Sequence, residues 1–168
     1  RSYQSQWSTY PAMHFSIRPA QLDDLDAIRE LMPRLAEFEL PPGRVAEHLW
    51  KGDEKILLAW AEGKEPACLI QVAVSEDQQI LGVAMSRLRD ELLSGEPSAH
   101  LEVLMVAKSA EGSGIGRALM DAAESAAAER GAKSMTLHAF ASNTRACRLY
   151  DGLGYDGELI RYTKNLPD

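Results

Sequence analysis

The sequence predicts an α/β fold: a mixed, mostly antiparallel central sheet with flanking helices. Three observations carry that expectation. Helical spacing dominates the stretch before residue 63. Three apolar, strand-length runs then follow one another between Ala67 and Val106 with only short polar breaks, the order of an antiparallel meander. From Leu101 the chain passes through a strand, a glycine-rich turn and an alanine-rich helix and returns as a strand at 134–140, the order of a parallel crossover.

His14-Phe15-Ser16-Ile17-Arg18 alternates weakly and ends before Pro19, so it reads as a short first strand. Leu22, Leu25, Ile28, Leu31 and Met32 recur at helical spacing. Acids crowd the first turns of that helix, as the dipole prefers, and Pro33 kinks or ends it. Residues 37–43 read as a loop and 45–50 as a short second helix. Asp53 is expected to cap a third helix, Glu54 to Glu62, that stops at Gly63. Strands follow at Ala67 to Val74 and Ile80 to Leu88, joined by a turn at 76–79 that lacks Gly and Asn, with Gly82 marking a bulge. After a polar loop at 90–98 come a central strand, His100 to Val106, and a helix, Gly114 to Arg130, stopped by Gly131. A helix at 143–151 and a last strand at 158–162 complete the pattern. Residues 1–12 are polar and patternless and read as a tag remnant or a flexible leader; 13–168 is expected to be one domain.

The 168 residues carry a net charge of −7, which argues against nucleic acid as the main partner, since phosphate backbones need a basic face. The charge is lopsided: residues 13–98 hold 16 acids against 9 bases, and residues 99–168 hold 9 against 8. An anionic ligand on the near-neutral half and a cationic one on the acidic half fit that imbalance, and so does a plain solvated surface. No apolar run approaches the ~18 residues of a membrane span, and no basic-then-apolar signal pattern opens the chain. Cys68 and Cys147 sit among apolar neighbours without metal or redox spacing, so they read as buried, reduced thiols of a cytoplasmic protein. The four histidines show no metal spacing, and no metal is expected.

The turn Gly112-Ser113-Gly114-Ile115-Gly116-Arg117 is the feature richest in chemistry. Alternate glycines let main-chain N–H groups approach a ligand, and the helix that follows aims its free N–H groups and dipole at the same point. Together they make an anion cradle. A Walker loop fails, because Gly116-Arg117-Ala118 replaces the required Lys-Ser/Thr ending. A dinucleotide fingerprint fails at its third glycine, and Phe140 and Ala141 stand where a ribose-binding acid belongs.

A different pattern fits. Val106 and the glycine turn, followed about 30 residues later by Asn143-x-x-Ala146-x-x-x-Tyr150-x-x-x-Gly154-Tyr155, resemble the GNAT (Gcn5-related) N-acetyltransferases. The resemblance implies acetyl-CoA as co-substrate, its pyrophosphate on the main chain of 112–117. It implies a pantetheine arm pairing like an extra strand beside Leu104, Met105 and Val106, where a bulge splays the two central strands. Tyr150 then protonates the departing thiolate, and Asn143, otherwise an ordinary helix cap, bonds the pantetheine. A free phenol has a pKa of about 10 against about 8.5 for a thiol, so that transfer needs a favourable site. One departure stands out: Glu111 occupies a position where the family usually has Arg or Gln. Lys108 and Arg117 are expected to offset its charge.

An amine acceptor must lose a proton before it attacks a thioester. Glu102, an acid interrupting an apolar strand, is the first candidate base. His100 shares its face by the period-2 rule, His138 on the next strand can reach the same cleft, and Glu39 can line the acceptor pocket. Each has a plainer reading as a residue at an exposed strand end or loop. Trp50 and Trp60 read as core or cleft wall. The resemblance implies direct transfer in a ternary complex, with the oxyanion on main-chain N–H groups near Val106. No acyl-enzyme is expected, because neither cysteine has an adjacent base. The acceptor is expected to be cationic: a polyamine, aminoglycoside, amino acid, or lysine or N-terminal amine of a protein. A non-catalytic CoA-binding module and a nucleotide-binding oxidoreductase are the competing classes. Exposed edges of a splayed sheet also suit pairing into a homodimer.

Overall fold

The computed structural model describes residues 13–168; the expected leader, 1–12, lies outside the described residues. One open sheet runs in the order β1 (Ser16–Pro19), β2 (Cys68–Val74), β3 (Ile80–Asp90), β4 (Pro97–Val106) and β5 (Met135–Leu137). The first four strands are antiparallel neighbours, and β5 lies parallel to β4. The short breaks of the meander allow only hairpin pairing, whereas the helix between β4 and β5 returns the chain in the same direction.

Strand alternation sends large and small residues to opposite faces. Ile70, Val72, Val74, Val83 and Met85 pack with Ile28 and Met32 of α1 (Leu25–Leu31) and its 3-10 continuation, and with Leu57 of α2 (Lys51–Ala61). Trp50 and Trp60 close that cluster, as core wall. On the other face Ala73 and Ala84 meet Ile115, Leu119, Met120 and Ala123 of α3 (Ile115–Glu129). Tyr150 and Leu153, in and just after α4 (Thr144–Gly152), pack beside them. Small residues there let α3 lie close to the sheet. At Gly82 no side chain fits: a Cβ would stand 2.9 Å from Ile115 Cγ2, 2.9 Å from Leu119 Cδ1 and 3.1 Å from the Met105 carbonyl oxygen. The bulge expected at Gly82 falls one residue earlier, since Ala73 pairs with Gly82 but Val74 with Ile80, leaving Leu81 extra.

The feature that positions the site is a second bulge. Met85 pairs with Val103 and Ser86 with Leu101, so Glu102 has no partner across the ladder. The extra residue breaks the period-2 phase: Leu101, Leu104 and Val106 join the α3 face, and Val103 and Met105 join the α1/α2 face. Pairing between β4 and β5 covers only Ala99 to Leu101. Beyond Leu101 the β4 main chain therefore has a strand on its β3 side alone, and the sheet opens there. The resemblance placed the bulge near residues 104–106; it sits at Glu102 because a carboxylate cannot remain inside an apolar ladder. As the extra residue it reaches Arg87, whose Nε donates to Glu102 Oε1 at 3.1 Å.

Four local expectations differ. Residues 45–50 form a 3-10 turn, Ala46–Leu49, instead of an α-helix. α2 begins at Lys51, so Asp53 lies inside its first turn and caps nothing. The strand expected over 134–140 is paired only at Met135–Leu137, because the chain leaves β4 where the sheet opens. Residues 158–162 form no strand: Leu159, Ile160 and Tyr162 are 69%, 77% and 87% exposed, and β-propensity without a cross-strand partner does not make a ladder.

Candidate active site

Two surfaces meet where the sheet opens. The first is the turn between β4 and α3. Gly112 and Gly114 adopt φ of +75° and +84°, left-handed values that a side chain resists, and Gly114 is the residue from which α3 starts. A Cβ at either position would have nothing within 4 Å, so the main chain there is open on its outer side. Ile115 is buried in the core and Ser113 Oγ donates back to the Ala110 carbonyl, so neither side chain is available to a ligand. What the turn offers is main-chain N–H groups at the positive end of a 15-residue helix, which fits an anionic phosphate.

The second surface is a cleft of about 150 Å³ that passes through the gap in the sheet. Its walls come from both faces: Leu35, Leu49 and Asp53 on the α1/α2 side, Ala146 and Tyr150 of α4 on the other. Leu101, Glu102 and Leu104 of β4 and residues 138–140 flank it. Phe38 and Phe140, with ring centroids 5.5 Å apart, form an aromatic wall.

Glu102, Leu104, His138, Asn143 and Tyr150 thus line one cleft. Met105 is buried in the α1/α2 core, and its main chain, opposite Val83 and two residues before an Ala107 N–H that donates to the Leu81 carbonyl, faces β3, which leaves Leu104 and Val106 at the open edge. The Val106 carbonyl is turned to the open edge, where Arg34 Nε donates to it at 3.0 Å. Asn143 caps α4, its Oδ1 accepting from the Ala146 N–H at 3.2 Å, which leaves its amide NH2 free to donate. Both of its expected roles can hold at once.

His100 stands behind the cleft and does not line it. It is buried, with Nδ1 2.7 Å from Thr136 Oγ1 and its ring 4.8 Å from that of His138. Burial, then the charge of Arg89, lowers its pKa to about 4, so it is neutral and weakly basic near pH 7. Glu39 is not among the cleft-lining residues. Tyr150 packs edge-on against Tyr155 at 6.0 Å, and burial, with Cys147 nearby, pushes its phenol up to about 12. Its proton is therefore retained at every ordinary pH. Burial likewise pushes the Cys68 thiol up to about 12, which leaves it inert. Both cysteines are free thiols, and Cys147 is only half-buried. Among the described residues no three His, Cys, Asp or Glu side chains gather as a metal site, and no helix is long and apolar enough to cross a membrane.

Asp53 is a titratable cleft residue that the sequence does not announce. It lines the cleft and, among the described residues, makes no ion pair or side-chain hydrogen bond. Burial, and then the nearby Glu102 charge, push its carboxyl up to about 7, with Arg87 opposing. A signal was present: Asp53 lies one turn before Leu57, a fully buried residue, so both share one helix face. Glu111 is neutralised, but not by Lys108 and Arg117. Arg145, through Nη1 at 2.9 Å, and Arg34 hold its carboxyl below the usual range. Arg117 instead reaches α4, its Nη2 3.9 Å from where a Gly152 Cβ would stand.

The profile of the Acetyltransferase (GNAT) family matches residues 25–155. An uncharacterized N-acetyltransferase of Bacillus subtilis, YhfO, is 30% identical over 154 residues, spanning 90% of this chain and 98% of that protein. A mycothiol acetyltransferase of Propionibacterium freudenreichii is 33% identical over 91 residues, which are 54% of this chain and 28% of that protein. Among solved structures, a putative acetyl transferase from Pyrococcus furiosus superposes with a TM-score of 0.70 at 22% identity, covering 91% of this chain and 100% of that one. AAC(6')-Iy in complex with the bisubstrate analogue CoA-S-monomethyl-acetylneamine superposes with a TM-score of 0.67 at 21% identity, covering 91% and 99%.

Proposed function

Because the chain belongs to the acetyltransferase (GNAT) family, we propose that it moves an acetyl group from acetyl-CoA to a cationic amine by direct attack in a ternary complex. The observation that carries this reading is the cleft through the sheet, which holds Glu102 and Tyr150 beside an unpaired β4 edge. Acetyl-CoA supplies an acetyl thioester, with CoA as leaving group. The main-chain N–H groups of Gly112 to Arg117 receive the diphosphate. The open edge at Leu104 and Val106 pairs with the pantetheine amides, and Asn143 adds a donor. Main-chain N–H groups near Val106 hold the thioester oxygen.

Glu102 takes the proton that the acceptor ammonium must lose, directly or through a water, while Arg87 fixes its carboxylate. Tyr150 keeps its proton near pH 7 and donates a hydrogen bond to the sulfur as the C–S bond breaks, and the second proton, which the nitrogen sheds on becoming an amide, passes to that sulfur to give the CoA thiol. Asp53 and Glu102 attract the acceptor, and Phe38 and Phe140 pack against its body. Two carboxylates in one cleft favour an amine with a second positive charge, a polyamine or aminoglycoside, over a monoamine. The neamine analogue carried by the structural relative AAC(6')-Iy is a compound of that kind.

The test is release of free CoA thiol from acetyl-CoA, followed with spermidine, neamine, simple amino acids and a lysine peptide, with the acetylated product weighed by mass spectrometry. Release that depends on a di- or polycationic amine is the expected result. Binding of acetyl-CoA without transfer to any amine would favour a CoA-binding module instead.

A further inference from the structure

The diphosphate of CoA carries two negative charges, yet the turn 112–116 offers it only neutral N–H groups, and Glu111 at its entrance adds a third negative charge. Cationic contacts must come from elsewhere, and two guanidiniums stand at that entrance. Arg34, from the 3-10 segment Met32–Ala36, donates Nε to the Val106 carbonyl, Nη1 to Glu37 and Nη2 to Glu111. Arg145, in the first turn of α4, donates Nη1 to the other oxygen of Glu111 at 2.9 Å. One carboxylate therefore gathers two arginines that are 111 positions apart in sequence.

We propose that Arg34 and Arg145, held at the rim of the turn by Glu111, are the cationic contacts for the CoA diphosphate. The inference rests on the CoA-binding reading above and deepens it. Donor arithmetic supports it. A guanidinium has five N–H donors; Arg34 commits three and Arg145 one, so two and four remain. The forks can hold Glu111 and a phosphate oxygen at once. Position supports it as well. The Arg34 bond to Val106 fixes its guanidinium where the open β4 edge runs into the turn, between the places assigned to the pantetheine arm and the diphosphate. Arg34 is only 18% exposed and serves as the fixed contact, whereas Arg145 at 67% is free to close on the ligand. Glu111 is then a positioning residue: it replaces a basic side chain in the turn by importing two from other elements.

Titration calorimetry with CoA, 3′-dephospho-CoA and pantetheine separates the outcomes. Arg145→Ala should weaken CoA and 3′-dephospho-CoA alike by roughly tenfold and leave pantetheine, which lacks the diphosphate, within twofold. Adding Glu111→Arg to Arg145→Ala should recover most of the loss. Equal loss for pantetheine, or a loss confined to CoA with its 3′-phosphate, would overturn the assignment. So would an unchanged dissociation constant for CoA. Arg145 is exposed, so its variant should keep the unliganded melting temperature; Arg34→Lys, at the more buried site, serves as the second variant and should weaken CoA several-fold. Failure of the unaltered protein to bind CoA would instead overturn the reading of the site itself.

Discussion

The turn at 112–116 and the cleft beside Glu102 lie along the same open edge of β4, yet they are built from different parts of the chain. The turn exposes main-chain N–H groups, is contiguous in sequence and leaves its side chains to the core or to local bonds. The cleft is lined by side chains from α2, β4, α4 and the segment after β5, and two of its groups are shifted by burial. The difference teaches where substitutions should matter. A main-chain site tolerates a foreign side chain, even Glu111, so long as the charge is balanced nearby. A side-chain site has no such slack.

The largest effects are therefore expected in the cleft. Glu102→Gln and Tyr150→Phe should each lower kcat by about 10²–10⁴ with KM for acetyl-CoA nearly unchanged, measured by steady-state thiol release. Tyr150→Phe keeps the ring packed against Tyr155, so its melting temperature should hold; a fall in stability equal to the fall in rate would return Tyr150 to a purely structural role.

A substitution at the junction of the two regions comes next. Gly82→Val drives a side chain into Ile115, Leu119 and the Met105 carbonyl, all within 3.1 Å of its Cβ. Overpacking of that kind destabilises by about 1–3 kcal/mol. Chemical denaturation reads the loss, and because α3 carries the turn, CoA affinity should fall with it.

Asp53 gives the cleft a pH dependence. In the folded chain the Asp53 carboxyl titrates at about 7, against about 3.9 when unfolded. Below pH ~4 both states hold the proton; as pH rises to about 7 only the unfolded state releases it readily, so the fold is weakened, and it stays weakened above. Asp53→Asn should raise the melting temperature at pH 8 and not at pH 4. It should also remove the fall in KM for a cationic amine expected as pH rises through 7.

The same contrast explains what was legible in the sequence. The meander, the crossover and the turn are local, and Gly112 to Gly116 with Asn143 and Tyr150 mark a site that needs no long-range packing to be recognised. Glu102 was legible for a related reason: an acid inside an apolar strand demands an explanation on the strand itself. Asp53 was not, because its role depends on α2 starting at Lys51 and on a bulge fifty residues away. The phase break at that bulge also explains His100: two residues before Glu102 on a regular strand, it would share the cleft, but the extra residue turns Glu102 toward the gap and leaves His100 beside Thr136. Arg34 and Arg145 were invisible for the same reason, since only the folded chain brings them to Glu111.

The most direct test of a CoA site at the gap in the sheet is a set of thermal unfolding scans of the protein with acetyl-CoA, CoA, NAD and ATP in parallel. A ligand at about 100 times its dissociation constant adds about 2.7 kcal/mol, several degrees for a chain of this size. A rise with acetyl-CoA and CoA and none with NAD is the expected result. No rise with either CoA form, or a rise with NAD alone, would contradict it.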